Sequence, residues 1–144
     1  MENISRRFLP TFSDLVDRLS ICLLKSIFIP KHKEKYQNEI KLIKHDIDLI
    51  SEEQGIKCSS NLIWATMIIM LSNRYIWENE SNARDGNDQN LALLKLTHSI
   101  NGVRNNAKNL LSKELGERID LKTDCLAAEL KSEFQNWDIF TDDD

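Results

Sequence analysis

Four residues in the stretch LSNRYIWENESNAR, positions 71 to 84, carry chemistries that helices rarely align. Asn73, Trp77, Glu80 and Arg84 follow one another at spacings of four, three and four. On an α-helix that spacing puts an amide, an indole, a carboxylate and a guanidinium on one face. A core stripe would be apolar, and a solvent stripe seldom includes Trp. Two other segments behave similarly. Thr97, Asn101, Arg104 and Lys108 share a narrow helical sector, while Asp17, Arg18 and Lys25 interrupt an otherwise apolar helix near the N-terminus.

If the three stripes converge, Arg18, Lys25, Arg84, Arg104 and Lys108 meet Asp17 and Glu80, five cations against two acids and a surplus of three. Such a site wants an anion. The planar fork of Arg suits phosphate or carboxylate, Asn73 and Asn101 offer donor and acceptor together, and the indole of Trp77 is a surface for a flat ring. Two plainer readings stand beside this one. Each stripe alone would be a solvated face, or Asp17 and Glu80 would pair with arginines in a network that fixes helix register.

The elements that must position these residues are helices. The chain has only four Gly and two Pro in 144 residues, with 41% hydrophobic and 29% charged residues, which favours an all-α fold. The expected architecture is a single-domain helical bundle of four to five helices spanning residues 1–144, with a frayed N-terminus (1–9) and an acidic C-terminal tail (138–144). Pro10 and Pro30 bracket the first helix, capped by Thr11 with Asp14 three residues on. Its apolar face reads Phe12, Leu15, Val16, Leu19, Cys22 and Leu23, and its other side is apolar enough to be covered too.

The second helix runs from about Lys31 to Gln54 and stops at Gly55, with Tyr36, Ile40, Ile43, Ile47 and Ile50 as a packing seam. Ser59 or Ser60 caps a third helix reaching Asp85 or Gly86. Its apolar run LIWATMIIML, residues 62 to 71, is too short for a bilayer and reads as a buried centre. The fourth helix spans about Gln89 to Leu115, with Leu93, Leu96, Ile100, Val103, Ala107 and Leu110 as its expected core face. A fifth is expected from Thr123 to Gln135.

Composition removes several function classes. The formal charge is −4, and residues 117 to 144 contribute −6 of it (nine acids, three bases), so the remainder sums to +2. No broad basic stripe for nucleic acid is present. Cys22, Cys58 and Cys125 are odd in number and lack C-x-x-C spacing, as for reduced cytosolic thiols. The start resembles no signal peptide, so a cytoplasmic chain without a membrane partner is expected. There is no H-E-x-x-H, no P-loop and no run of acids for a metal, and His32, His45 and His98 are scattered. No catalytic residue, metal ligand or cofactor is therefore assigned.

The segment DLVDRLSICLLK resembles the D-[KR]-[LI]-[ST]-I-x-x-[IL]-K opening of uncharacterised all-helical families of bacteria and phages. Those families also carry N-x-x-x-W-x-x-E-x-x-x-R, matched by Asn73, Trp77, Glu80 and Arg84, and N-x-x-R-x-x-x-K, matched by Asn101, Arg104 and Lys108. The resemblance spans residues 11 to 115. It departs at Arg18, where lysine is commoner, at Ser20 for threonine, and at Ser81, where a second carboxylate often stands. It implies that the motif residues act as one unit, and the bacterial members are often encoded beside cell-envelope glycosyltransferases.

The expected function is that of a small non-enzymatic binding protein for an anionic, phosphate-bearing molecule, a nucleotide or cyclic nucleotide. It would act as a homo-oligomer, and as a phage sponge that sequesters a host immune signal. The expected ligand-binding set is Asp17, Arg18, Lys25, Asn73, Trp77, Glu80, Arg84, Asn101, Arg104 and Lys108. The alternative is an enzyme acting on a nucleotide or sugar phosphate of envelope-glycan metabolism, with Glu80 as general base and the arginines stabilising negative charge in the transition state. A third possibility is a partner-binding module using the Tyr36 to Ile50 seam.

Overall fold

The computed structural model describes residues 5–84 and 90–120, the side chains of 82–84, 90–91 and 93–94 excepted. The expected fifth helix and the acidic tail lie outside the described residues. The fold is all-α: α1 (Phe12–Phe28), a 3₁₀ turn (Pro30–His32), α2 (Lys33–Gln54), α3 (Ser60–Arg84) and α4 (Asn90–Leu115). Among the described residues, no helix is long and apolar enough to cross a membrane.

Local chemistry sets most of the boundaries. Thr11 Oγ1 accepts the Asp14 N–H at 3.2 Å while the Asp14 carboxylate accepts the Thr11 N–H at 3.1 Å, closing a capping box at the start of α1. Pro30 opens the 3₁₀ turn and delays α2 to Lys33. Gly55 ends α2 at φ 60°, a left-handed conformation that only glycine adopts cheaply. Ser59 Oγ accepts the Leu62 N–H at 3.1 Å and so caps α3.

The end of α4 does more than terminate a helix. Gly116 turns the chain at φ 71°, with the Glu117 N–H returning to the Ser112 carbonyl at 2.8 Å. The turn delivers the Glu117 carboxylate to the start of α1, where it accepts the Phe12 N–H at 2.6 Å and the Ser13 N–H at 3.4 Å. A carboxylate there satisfies two orphan amides and meets the positive end of the helix dipole. Nearby Arg118 donates to the Leu9 carbonyl at 2.9 Å and lies 3.6 Å from the Phe8 ring centroid. Exposed though they are, Phe8 and Leu9 are thus tethered, in a segment the sequence reads as frayed.

α1 pairs with α2, α3 pairs with α4, and α1 also contacts both helices of the second pair. One shared apolar cluster sits at one end of the bundle, with Phe12 and Val16 of α1, Ala65 and Ile69 of α3, Ala107 and Leu111 of α4, and Cys22, Leu24 and Ile76 are buried outside it. Ile47 and Ile50 of α2 pack against it. Ile43 is buried at the middle of the α2 seam, as the spacing of four and three requires.

Three sequence expectations are corrected by the burial pattern. On α4, Leu96, Val103 and Leu110 were expected in the core, yet all three are about half exposed. Ala107 is buried as expected, and its buried companions are Thr97, Lys108, Leu111 and Ser112 instead. The reason is electrostatic, because Asp14 and Asp17 on α1 draw Lys108 inward and a helix cannot turn two neighbouring faces to one partner. Within LIWATMIIML, Ala65 and Ile69 are buried while Ile63, Trp64, Met67 and Leu71 are exposed, so the run has one covered face rather than a buried circumference. On α1, Leu23 is exposed, and Ser13 and Ser20 take inward positions because both find hydrogen-bond partners on the other helices.

Candidate functional site

The polar stripes meet behind the core. Asn73, buried on α3, sits at their centre. Its Nδ2 donates to Asp17 Oδ1 at 2.7 Å and to Ser20 Oγ at 2.5 Å, both on α1, while its Oδ1 accepts Arg104 Nη1 from α4 at 3.1 Å. One amide thereby joins three helices. Ser20 Oγ in turn donates to the Asp17 carbonyl at 2.7 Å. The other oxygen of Asp17 faces Lys108 Nζ at 3.4 Å, and that ammonium also reaches Asp14 Oδ1 at 3.0 Å. Lys108 is only 5% exposed, and the two carboxylates offset part of the cost of burying its ammonium. Burial alone would raise the Asp14 carboxyl, but the Thr11 N–H and the Lys108 ammonium outweigh it and hold the group below its ordinary value.

Above this network opens a cavity of about 490 Å³ between α1, α3 and α4. That volume lies within the range of small-molecule sites. Its floor is Asn73 and Arg104, and its walls carry Lys25, Trp77, Glu80, Ser81 and Asn101. Ile21, Leu24, Ile29 and Ile76 give it an apolar side. Trp77 is braced by Phe28, their ring centroids 6.0 Å apart and tilted by 31°, and the Arg74 guanidinium lies 4.5 Å from the Phe28 centroid. Lys25 Nζ stands 5.9 Å from the Tyr36 centroid, within cation–π range of α2. The Arg104 guanidinium is gripped through Nη1, and its buried Nε makes no hydrogen bond among the described residues.

The expected site residues separate into three groups. Lys25, Asn73, Trp77, Glu80, Asn101 and Arg104 line the cavity together. Asp17 and Lys108 belong to the buried network beneath it, where Asp17 fixes Asn73. Arg18 is not brought in: it points outward and pairs with Glu39 of α2 at 2.7 Å, which raises the guanidinium and lowers the carboxyl from their ordinary values. The side chain of Arg84 lies outside the described residues. The anticipated surplus of three positive charges therefore shrinks to one among the described lining residues, Lys25 and Arg104 against Glu80. One charge is lost because Arg18 pairs with Glu39 of α2, one because the Arg84 side chain is outside the described residues, and Lys108 and Asp17 leave the count together as a pair.

Glu80 is exposed, and the described lining includes no imidazole or thiol. Cys22 on α1 is fully buried, and burial pushes its thiol up, away from the thiolate a nucleophile needs. No protein-family model, curated protein or solved structure matches this chain. The functional reading therefore rests on the chemistry of the cavity itself.

Sequence reasoning passed over Ser20, Ile76 and Asp14. Ser20 lies three residues after Asp17 and Ile76 three after Asn73, so helical spacing alone would have placed both beside the stripe. Asp14 caps α1, and it also holds Lys108. Nothing local announces that second role, since the two residues are 94 positions apart.

Proposed function

We propose that this chain is a non-enzymatic binding protein that captures a small phosphate-bearing molecule with a flat ring, a nucleotide or cyclic nucleotide. The observation that carries the reading is the Arg104 guanidinium, clamped by Asn73 at the floor of a cavity that also presents Lys25 and Trp77. A guanidinium fixed in advance gives up little rotational freedom on meeting phosphate. Lys25 adds a second cation, Trp77 supplies a face for the ring, and Asn101 can match a hydroxyl or base edge with donor and acceptor. In the cytoplasm such a protein would work by sequestration, and a phage sponge that draws down a host nucleotide signal is the role this chemistry fits. The enzymatic alternative would use Glu80 as general base with Arg104 stabilising negative charge.

The test is to incubate the protein with a panel of nucleotides and cyclic dinucleotides, denature it and analyse what is released. Unchanged ligand released in stoichiometric amount is the expected outcome, and a new product would move the assignment to catalysis. In parallel, Arg104→Lys keeps the charge but loses the fork. It should weaken binding by about tenfold, roughly 1.4 kcal/mol by calorimetric titration, with the helical content unchanged.

A further inference from the structure

The sequence marks Leu96, Val103 and Leu110 as a seam, yet α1 does not cover them. They recur every seven residues on α4, forming one line roughly a quarter-turn from Arg104 on the side away from Lys108. On α3, Trp64 and Leu71 are likewise seven apart, with Tyr75 one turn further, on the side away from Asn73. The two rows therefore edge the α3–α4 contact on the face that α1 leaves open. All six side chains are between 49% and 61% exposed.

We infer that this face is a homodimer interface, on which the α3–α4 hairpin of a second copy packs to complete a four-helix arrangement. Half-exposed side chains of this size leave on the order of 600 Å² of apolar surface, at the upper end of what a monomer tolerates in one patch. A stable complex buries about 800 Å² per partner, and a polar rim supplies the remainder. The rim here carries both signs, with Arg74 and Glu78 already paired at 2.8 Å and Lys95 and Lys113 exposed on α4. A face with an apolar centre and a mixed rim suits its own copy better than a strongly charged partner. The spacing of seven on α4, and of seven and four on α3, keeps each row on one side of its helix, as helices that cross at a shallow angle require. This interface lies away from the ligand cavity and does not depend on what the cavity holds.

Sedimentation equilibrium of the full chain tests it. The expected result is twice the single-chain mass of 16.7 kDa, falling to the single-chain value in Leu71→Asp and Val103→Asp, with circular dichroism preserved. A second measurement covers the case in which an aspartate lowers helicity: Val103→Cys should resist a thiol reagent when the chain is dimeric and react once dilution gives monomer. Three results overturn the proposal. One is a dimer that survives both aspartates. Another is a single-chain mass at every loading concentration with a reactive cysteine. The last is a single-chain mass with a protected cysteine, which would assign the cover to this chain's own residues 121–144.

Discussion

Lys108 and Arg18 are both cations in the proposed motif blocks, and their surroundings give them different consequences. Lys108 is buried between Asp14 and Asp17, so Lys108→Met takes the counter-charge from Asp17 and leaves Asp14 with only Arg118 at 3.8 Å, and should cost about 3 kcal/mol in urea denaturation. Arg18 pairs with Glu39 in solvent, its side chain 55% exposed. Arg18→Ala should cost less than about 1 kcal/mol and leave ligand affinity unchanged. Asp14 adds a pH dependence. Its folded-state value is depressed, so the folded state favours the carboxylate more than the unfolded chain does. Its contribution is complete above the ordinary value of about 4 and is lost as pH falls through the lower folded value. Thermal melts on the acid side of about pH 4 should therefore show a declining midpoint, and Asp14→Asn should flatten that decline.

The helices were legible where the signal is local. Thr11 with Asp14, Gly55 and the serine before α3 each mark a boundary through contacts made within a few residues, and the structure has all three. The facing of α4 was not legible in the same way. Its sequence shows an apolar row beside a polar row, and periodicity separates the rows without saying which one turns inward. That choice is made by Asp14, Asp17 and Asn73, which lie 31 or more residues away in sequence and become neighbours only when α1 and α3 are in place. The convergence of the stripes was anticipated, but the number of free charges was not, because the acids that neutralise Arg18 and Lys108 were read as a solvated face and a cap. The Glu117 cap was also invisible in the sequence, being 105 residues from Phe12. Glu117→Ala should destabilise the fold by about 1 kcal/mol, and amide hydrogen exchange should quicken at Phe12 and Ser13 before it does elsewhere in α1.

Across the whole molecule the three helices divide their lengths by task. The end with Phe12, Ile69 and Leu111 supplies apolar cohesion flanked by the Lys108–Asp14 pair, the middle joins α1, α3 and α4 through Asn73, and the far end opens into the cavity. The buried network costs desolvation, and it holds Arg104 in place before any ligand arrives. Trp77 and Trp64 offer a built-in comparison, because Trp77 lines the cavity and Trp64 stands on the opposite, apolar side of α3. The most direct measurement follows their indole N–H signals by NMR as adenosine monophosphate or a cyclic dinucleotide is added. Saturable movement of the Trp77 signal with the Trp64 signal stationary is the expected result. A Trp77 signal that stays fixed across the nucleotide panel, or moves only in step with Trp64, would contradict capture of a nucleotide in this cavity.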